Sequence, residues 1–166
     1  MAEDAKQKVL DYLNEHKISY ELINHEPVYT MEEMDAYGIT KQGNICKNLF
    51  LRDAKGKRHF LIVMGKDKRA DLKGFRSQLG TTALSFGSEQ RLQKYLGVEK
   101  GAVSPFGILN DENAEVEVVI DRDFANEKRF GCHPNDNTAT VILAFKDLKK
   151  MIEQHGNKIK FISIKG

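Results

Sequence analysis

The chain has 166 residues, 40% hydrophobic and 30% charged, which fits one globular domain. A formal net charge of +2 is too small to announce nucleic-acid binding by itself. No apolar run reaches the ~18 residues of a membrane span. The charged, helix-like opening MAEDAKQKVLDYLNEHK is unlike a signal peptide, so a cytoplasmic protein without a membrane partner is expected.

Residues 3–16 predict an amphipathic helix with Val9, Leu10 and Leu13 on one side. ISYELINH (18–25) reads as a short strand. In TMEEMDAYG, Thr30 stands three residues before Glu33, the spacing of a capping box, and Gly38 is a stop, so a short helix is predicted. ICKNLFLR and RHFLIVMG, joined through DAKGK, predict an antiparallel hairpin. DLKGFRSQLG and SEQRLQKYLG predict helices ended by Gly80 and Gly97, with TTALSF between them as a candidate strand. KGAVSPFGILND (100–111) reads as a loop. EVEVVIDRD and TATVILAF predict strands, and KIKFISI a closing strand. KDLKKMIEQHG predicts a helix with Leu148 and Ile152 inward and Lys146, Lys149 and Lys150 outward. The order is α, β, α, β, β, α, β, α, loop, β, β, β, α, β. It predicts an α/β (α+β) fold: one domain over 1–166, a mixed, mostly antiparallel sheet, and helices packed on it.

Three stretches depart from plain core. In ICKNLFLRD, Lys47 and Asn48 interrupt an apolar strand. A lysine there costs free energy unless it is paired or snorkels to a wet edge. It either marks the strand's exposed entrance or holds a phosphate or ribose. Alternation puts Lys47 and Asn48 on opposite faces, so both reach one ligand only if the strand bends or begins there. In KGAVSPFGILND, Gly101, Pro105 and Gly107 punctuate a connection whose exposed amides could bind an anion or oxyanion, or simply join two elements. In FGCHPNDNTATV, His133 at the mouth of a strand could touch a substrate hydroxyl or position a water, or serve the turn alone. Adjacent Cys132 and His133 point opposite ways in an extended chain, which argues against a Cys/His nucleophile pair. Cys46 and Cys132 are expected as reduced thiols, and they lack the four-ligand spacing of a zinc site. Basic residues gather at Lys66, Lys68, Arg69, Lys73 and Arg76, and again between Lys146 and Lys165. Each cluster is either a solvated face or a phosphate contact.

HEPVYTMEE, CKNLFLRD, GAVSPFGILND and HPNDNTAT occur in this order over nearly the whole chain. Together they resemble the bacterial prolyl-tRNA editing domains, also called the YbaK/ProX or INS-like superfamily. KNLFL, the Gly–x–x–x–Pro loop and the His–Pro segment resemble its free-standing alanyl-tRNA(Pro) deacylase branch. The resemblance implies hydrolysis of Ala-tRNA(Pro) by a monomer acting in trans. It implies no cofactor or metal, and at most transient contact with prolyl-tRNA synthetase. On the same ground Lys47 would hold the phosphate and ribose of the terminal adenosine, with Asn48 at the same end. Gly101 and Ala102 would offer N–H groups near the ester carbonyl, on a loop shaped by Pro105. His133 would lie near the ester. Thr30 would edge the alanine pocket, and Ser104 and Asn137 would join the substrate-binding set. Lys66, Lys68, Arg69 and Lys73 are the candidates for acceptor-stem contact. GCHPND departs from the family's commoner apolar residue before the histidine and HPLTN-like run after it, which bears on substrate preference rather than reaction type. The alternatives are deacylation of Cys-tRNA(Pro) and a non-catalytic tRNA- or aminoacyl-binding module.

Overall fold

Capping residues place most helices in the computed structural model, which describes residues 2–165. Helix α1 spans Ala2–Glu15. Helix α2 (Met31–Ala36) starts at Thr30, whose hydroxyl accepts the Glu33 N–H at 3.1 Å. Asp71 caps α3 (Leu72–Leu79) and Ser88 caps α4 (Glu89–Leu96); both helices end on left-handed glycines, Gly80 and Gly97. Helix α5 covers Phe145–His155, with Leu148 and Ile152 buried as predicted.

The strands are β1 (Tyr20–Asn24), β2 (Asn44–Arg52), β3 (His59–Gly65), β4 (Ser85–Phe86), β5 (Val116–Asp121), β6 (Phe130–Cys132), β7 (Ala139–Leu143) and β8 (Ile159–Ile162). The hairpin forms as expected, in register from Cys46 opposite Gly65 to Arg52 opposite His59. Only Ser85–Phe86 of TTALSF becomes strand. Strand β6 is the middle member of the run of three before the last helix, for which the sequence suggested no range. The presumed loop at 100–111 folds into two 3-10 turns, Lys100–Ala102 and Pro105–Asn110. The second is set by Ser104 as cap and Pro105 at its first position.

The sheet is mixed and runs β1-β7-β6-β2-β3-β5-β8, with β4 beside β2. Pairs β1–β7, β2–β3, β2–β4 and β6–β7 are antiparallel; β2–β6, β3–β5 and β5–β8 are parallel. One face buries Cys46, Phe50, Leu61, Val63, Val118 and Ile120 under α1, α4, α5 and the Pro105–Asn110 turn. The opposite face carries two smaller clusters. Leu51, Phe60, Ile62, Met64 and Val119 pack against Phe75 and Leu79 of α3. Ile45 and Ile142 pack with Val28, Met34 of α2 and Ile39. Strand β2 belongs to both clusters, Ile45 to one and Leu51 to the other.

Gly131 on β6 fits that arrangement tightly. A methyl group there would run into Ile45 Cδ1 and lie 2.9 Å from Ile142 Cδ1. Gly131→Ala should therefore destabilise the fold by about 1–3 kcal/mol through overpacking. Urea unfolding should show a lower midpoint at unchanged slope.

Candidate active site

Strand β2 shares one edge between two partners. At its start, Asn44 and Ile45 pair in parallel with Phe130 and Gly131 of β6. At its end, Leu51 and Arg52 pair with β4, and the Phe50 carbonyl accepts the Gly87 N–H at 2.9 Å. Among the described residues, Cys46–Leu49 have no strand partner on that edge. The strands part there, and a crevice beside the diverging ends of two parallel strands is a recurrent place for ligands.

Lys47 lies two residues past the last β2–β6 pair, on the face shared with Ile45, and His133 lies two residues past Gly131. Lys47 is half-buried, and its ammonium donates to the Lys68 carbonyl at 2.6 Å. His133 Nδ1 lies 2.8 Å from the Ala139 carbonyl. A carbonyl only accepts, so Nδ1 carries the hydrogen and Nε2 of the neutral ring is left as an acceptor. Burial pushes the His133 pKa down, and nearby His25 pushes the same way, against the Ala139 carbonyl and Asp136. The His25 ring is 6.0 Å away, held by the Glu26 carbonyl at 2.8 Å and the buried Thr140 hydroxyl at 2.9 Å.

Asn48 projects to the other face, and its amide lies 3.4 Å from Cys46 Sγ. Cys46 and Cys132 are both buried there. Burial pushes the Cys46 thiol up to about 12. Burial and the neighbouring Cys46 push Cys132 well above its ordinary value, against a hydrogen bond from Ser104. Neither is a nucleophile near neutral pH. Ser104 is fully buried, and its hydroxyl also accepts the Phe106 N–H at 3.1 Å. It anchors the loop from beneath.

The Gly101 loop reaches back over the end of β6. A Cβ at Gly101 would meet the exposed Tyr29 ring at 2.9 Å and the Asn137 amide at 3.4 Å, so glycine lets the ring lie against the loop where it stands. Ala102 spends its N–H on the Glu99 carbonyl at 2.9 Å. The Gly101 N–H has no partner among the described residues, so Gly101 rather than Ala102 is the free donor. Asn137 ties its side chain to the Val28 carbonyl at 3.1 Å. Tyr29, Gly101, Ala102, Asn135, Asp136 and Asn137 line a cavity of about 210 Å³. Buried Asp136, one of the departures, accepts the Thr138 N–H and hydroxyl at 2.9 and 2.8 Å and so builds the turn into β7.

The remaining predicted residues lie elsewhere. Thr30 is exposed, with its hydroxyl engaged by Glu33 at the start of α2. Pro105 is buried at the start of its 3-10 turn. Lys68 is held by Asp121 and Asp123 at 2.8 and 2.6 Å. Lys66 meets exposed Asp67 at 3.2 Å. Exposed Arg69 and Lys73 form no ion pair among the described residues. Sequence reasoning gave no role to His25, Tyr29 or Asp121. The first two stand inside HEPVYTMEE, so the motif held the signal. Asp121 sits at the end of a β-branched strand, and nothing local marks it. Among the described residues no three His, Cys, Asp or Glu side chains are grouped as metal ligands, and no helix is long and apolar enough to cross a membrane.

The chain is 55% identical to the prolyl-tRNA editing protein ProX of Acetoanaerobium sticklandii over 161 residues, covering 97% of this chain and 98% of that protein. It is 31% identical to prolyl-tRNA synthetase associated domain-containing protein 1 of Danio rerio, covering 91% of this chain and 83% of that protein. Its fold matches a crystal structure described as a candidate trans-editing enzyme for prolyl tRNA synthetase. That match has a TM-score of 0.72 and 17% identity, over 98% of this chain and 97% of the other. Residues 25–151, which hold Lys47, Gly101 and His133, match the aminoacyl-tRNA editing domain, and the chain belongs to that family.

Proposed function

We propose that the chain hydrolyses the aminoacyl ester of mischarged tRNA(Pro) in trans, with alanine as the amino acid removed. The observation that carries this reading is the Gly101 loop, whose N–H has no partner among the described residues and which stands against Tyr29 and Asn137 at the cavity of about 210 Å³. The 55% identity to a prolyl-tRNA editing protein supports the tRNA, and the resemblance of KNLFL and the Gly–x–x–x–Pro loop supports alanine. The division of labour follows from the donors and acceptors present. Lys47 holds the terminal phosphate or ribose. The Gly101 N–H faces the oxyanion that forms when water attacks the ester carbonyl. Neutral His133 accepts a hydrogen bond at Nε2 from that water or from the ribose 2′-hydroxyl. The tetrahedral intermediate expels the ribose oxygen, which takes up a proton, leaving alanine and free tRNA. The ester is already activated, so orientation and oxyanion stabilisation supply what the reaction needs. A second, smaller sieve also answers the substrate problem. One missing methylene gives a proline site only about 1–3 kcal/mol of discrimination against a smaller amino acid.

Single-turnover assays on Ala-, Cys- and Pro-tRNA(Pro) at enzyme excess test this reading. Alanine should be released rapidly and proline retained, and Lys47→Ala should slow release roughly a hundredfold. Preferential loss of cysteine would reassign the substrate. Retention of all three esters with tRNA still bound would leave a binding module.

The depressed pKa of His133 sets a pH dependence. The ring stays neutral below the ordinary imidazole value of about 6.5. The enzymatic rate, corrected for spontaneous ester loss, should be flat around neutrality. It should fall only on further acidification, as Nε2 gains a proton and stops accepting. A pH–rate profile that falls already between pH 8 and 7 would remove His133 from this role.

Arg69 and Lys73 follow Lys68 in the chain as exposed cations with no ion pair among the described residues. Replacing either with alanine should weaken tRNA binding and lower the salt slope by about one. Filter binding across a salt series reads both.

A further inference from the structure

The Lys47 side chain makes its one described hydrogen bond to a main-chain atom, the Lys68 carbonyl, 2.6 Å away. That carbonyl belongs to the turn leaving β3, where the Lys68 N–H donates to the Gly65 carbonyl at 3.1 Å. Asp121, at the end of β5, grips the same turn. Its carboxylate is 1% exposed and accepts the Gly65 N–H at 3.0 Å, the Asp123 N–H at 3.1 Å and the Lys68 ammonium at 2.8 Å. Asp123 takes the same ammonium at 2.6 Å. Lys68 is thus tied down through its own amide and its own side chain, and the carbonyl between them has little freedom.

We propose that Lys68 and Asp121 are positioning residues that fix the carbonyl on which the Lys47 ammonium rests, and so hold Lys47 in one ordered position for substrate. The proposal rests on the reading of Lys47 as the substrate-holding group. A lysine ammonium has three donors on a flexible stem. One donor on a rigid carbonyl leaves two for phosphate or ribose, with the stem ordered before substrate arrives. This arrangement also removes Lys68 from the set of phosphate contacts, because two carboxylates already neutralise its charge.

The test is the double replacement Lys68→Met with Asp121→Leu in the full chain, which removes both charges and leaves neither buried alone. Three quantities are read: the single-turnover rate at saturating enzyme, tRNA affinity against salt, and acetylation of Lys47 by an amine-reactive ester mapped by mass spectrometry. The rate should fall about tenfold. Affinity and salt slope should hold, and Lys47 should label several-fold faster. Lys68→Arg, which keeps the charge and its partners, should recover most of the rate. If the double variant does not fold, Asp123→Asn removes the exposed partner alone and should raise Lys47 labelling to a smaller degree. Wild-type rate and labelling in a folded variant would overturn the proposal. So would weakened affinity with a salt slope lower by about one at unchanged rate, the mark of a phosphate contact. If the wild-type chain cleaves none of the esters, the deacylase reading fails, while the labelling of Lys47 still decides the positioning role.

Discussion

Much of this molecule turns on how β2 divides its edge. A strand inside a sheet satisfies its backbone groups through neighbours on both sides. Here β3 serves one side along the length of β2, while the other side is split between β6 at the start and β4 at the end. The middle of that edge must turn to water or to a ligand. A polar crevice therefore opens inside what would otherwise be continuous sheet, and Lys47 and Asn48 lie at the opening. Their polarity suits the place, because Lys47, Asn48 and Leu49 are all only partly buried there.

The same split explains why a lysine is tolerated there. The face that Lys47 shares with Ile45 and Leu49 is covered by two separate clusters, one under α2 and one under α3. Lys47 lies between them, where the stem can run along apolar neighbours while the ammonium reaches the turn after β3. The opposite face is one continuous core, and its polar groups are disposed differently. Cys46 and Cys132 are buried thiols, and Ser104 is consumed by a cap and a thiol contact. The two thiols and Ser104 thus lie in the core, while Lys47 and His133 are only partly buried. That distribution suits chemistry by a positioned water better than chemistry through a covalent intermediate.

Much of the fold was legible because local rules and tertiary packing agree. Two apolar runs joined by a turn gave the hairpin, a β-branched run gave β5, Thr30 gave a helix start, and Gly80 and Gly97 gave helix ends. The 3-10 turn at Pro105 carried its own signal, a serine cap before a proline, but it was masked by glycines that read as loop. Strand β6 has only three residues, and its pairing with β2 spans more than eighty positions, so no periodicity announced it. Lys47, Gly101 and His133 were legible as exceptions to plain core. The fate of Lys68 was not, because its partners lie 53 and 55 residues away and a basic cluster in sequence says nothing about which cations are already paired. His25 was visible only as part of a motif. Its place beside His133 depends on β7, which supplies both the Ala139 carbonyl and the Thr140 hydroxyl.

These placements imply an order of rigidity within the site. His133 is held by main chain, and the Gly101 loop by a glycine that lets Tyr29 and Asn137 press against it. Lys47 is held by a carbonyl whose own position depends on a buried carboxylate. Main-chain contacts lose little entropy on substrate binding, because the chain has already been ordered by folding. A flexible cation gains most from being ordered in advance. The heaviest polar network near the crevice, centred on Asp121, accordingly stands behind the one group with the most freedom to lose. A buried carboxylate is costly to maintain unless it is fully partnered, and Asp121 is partnered by two backbone N–H groups and the Lys68 ammonium.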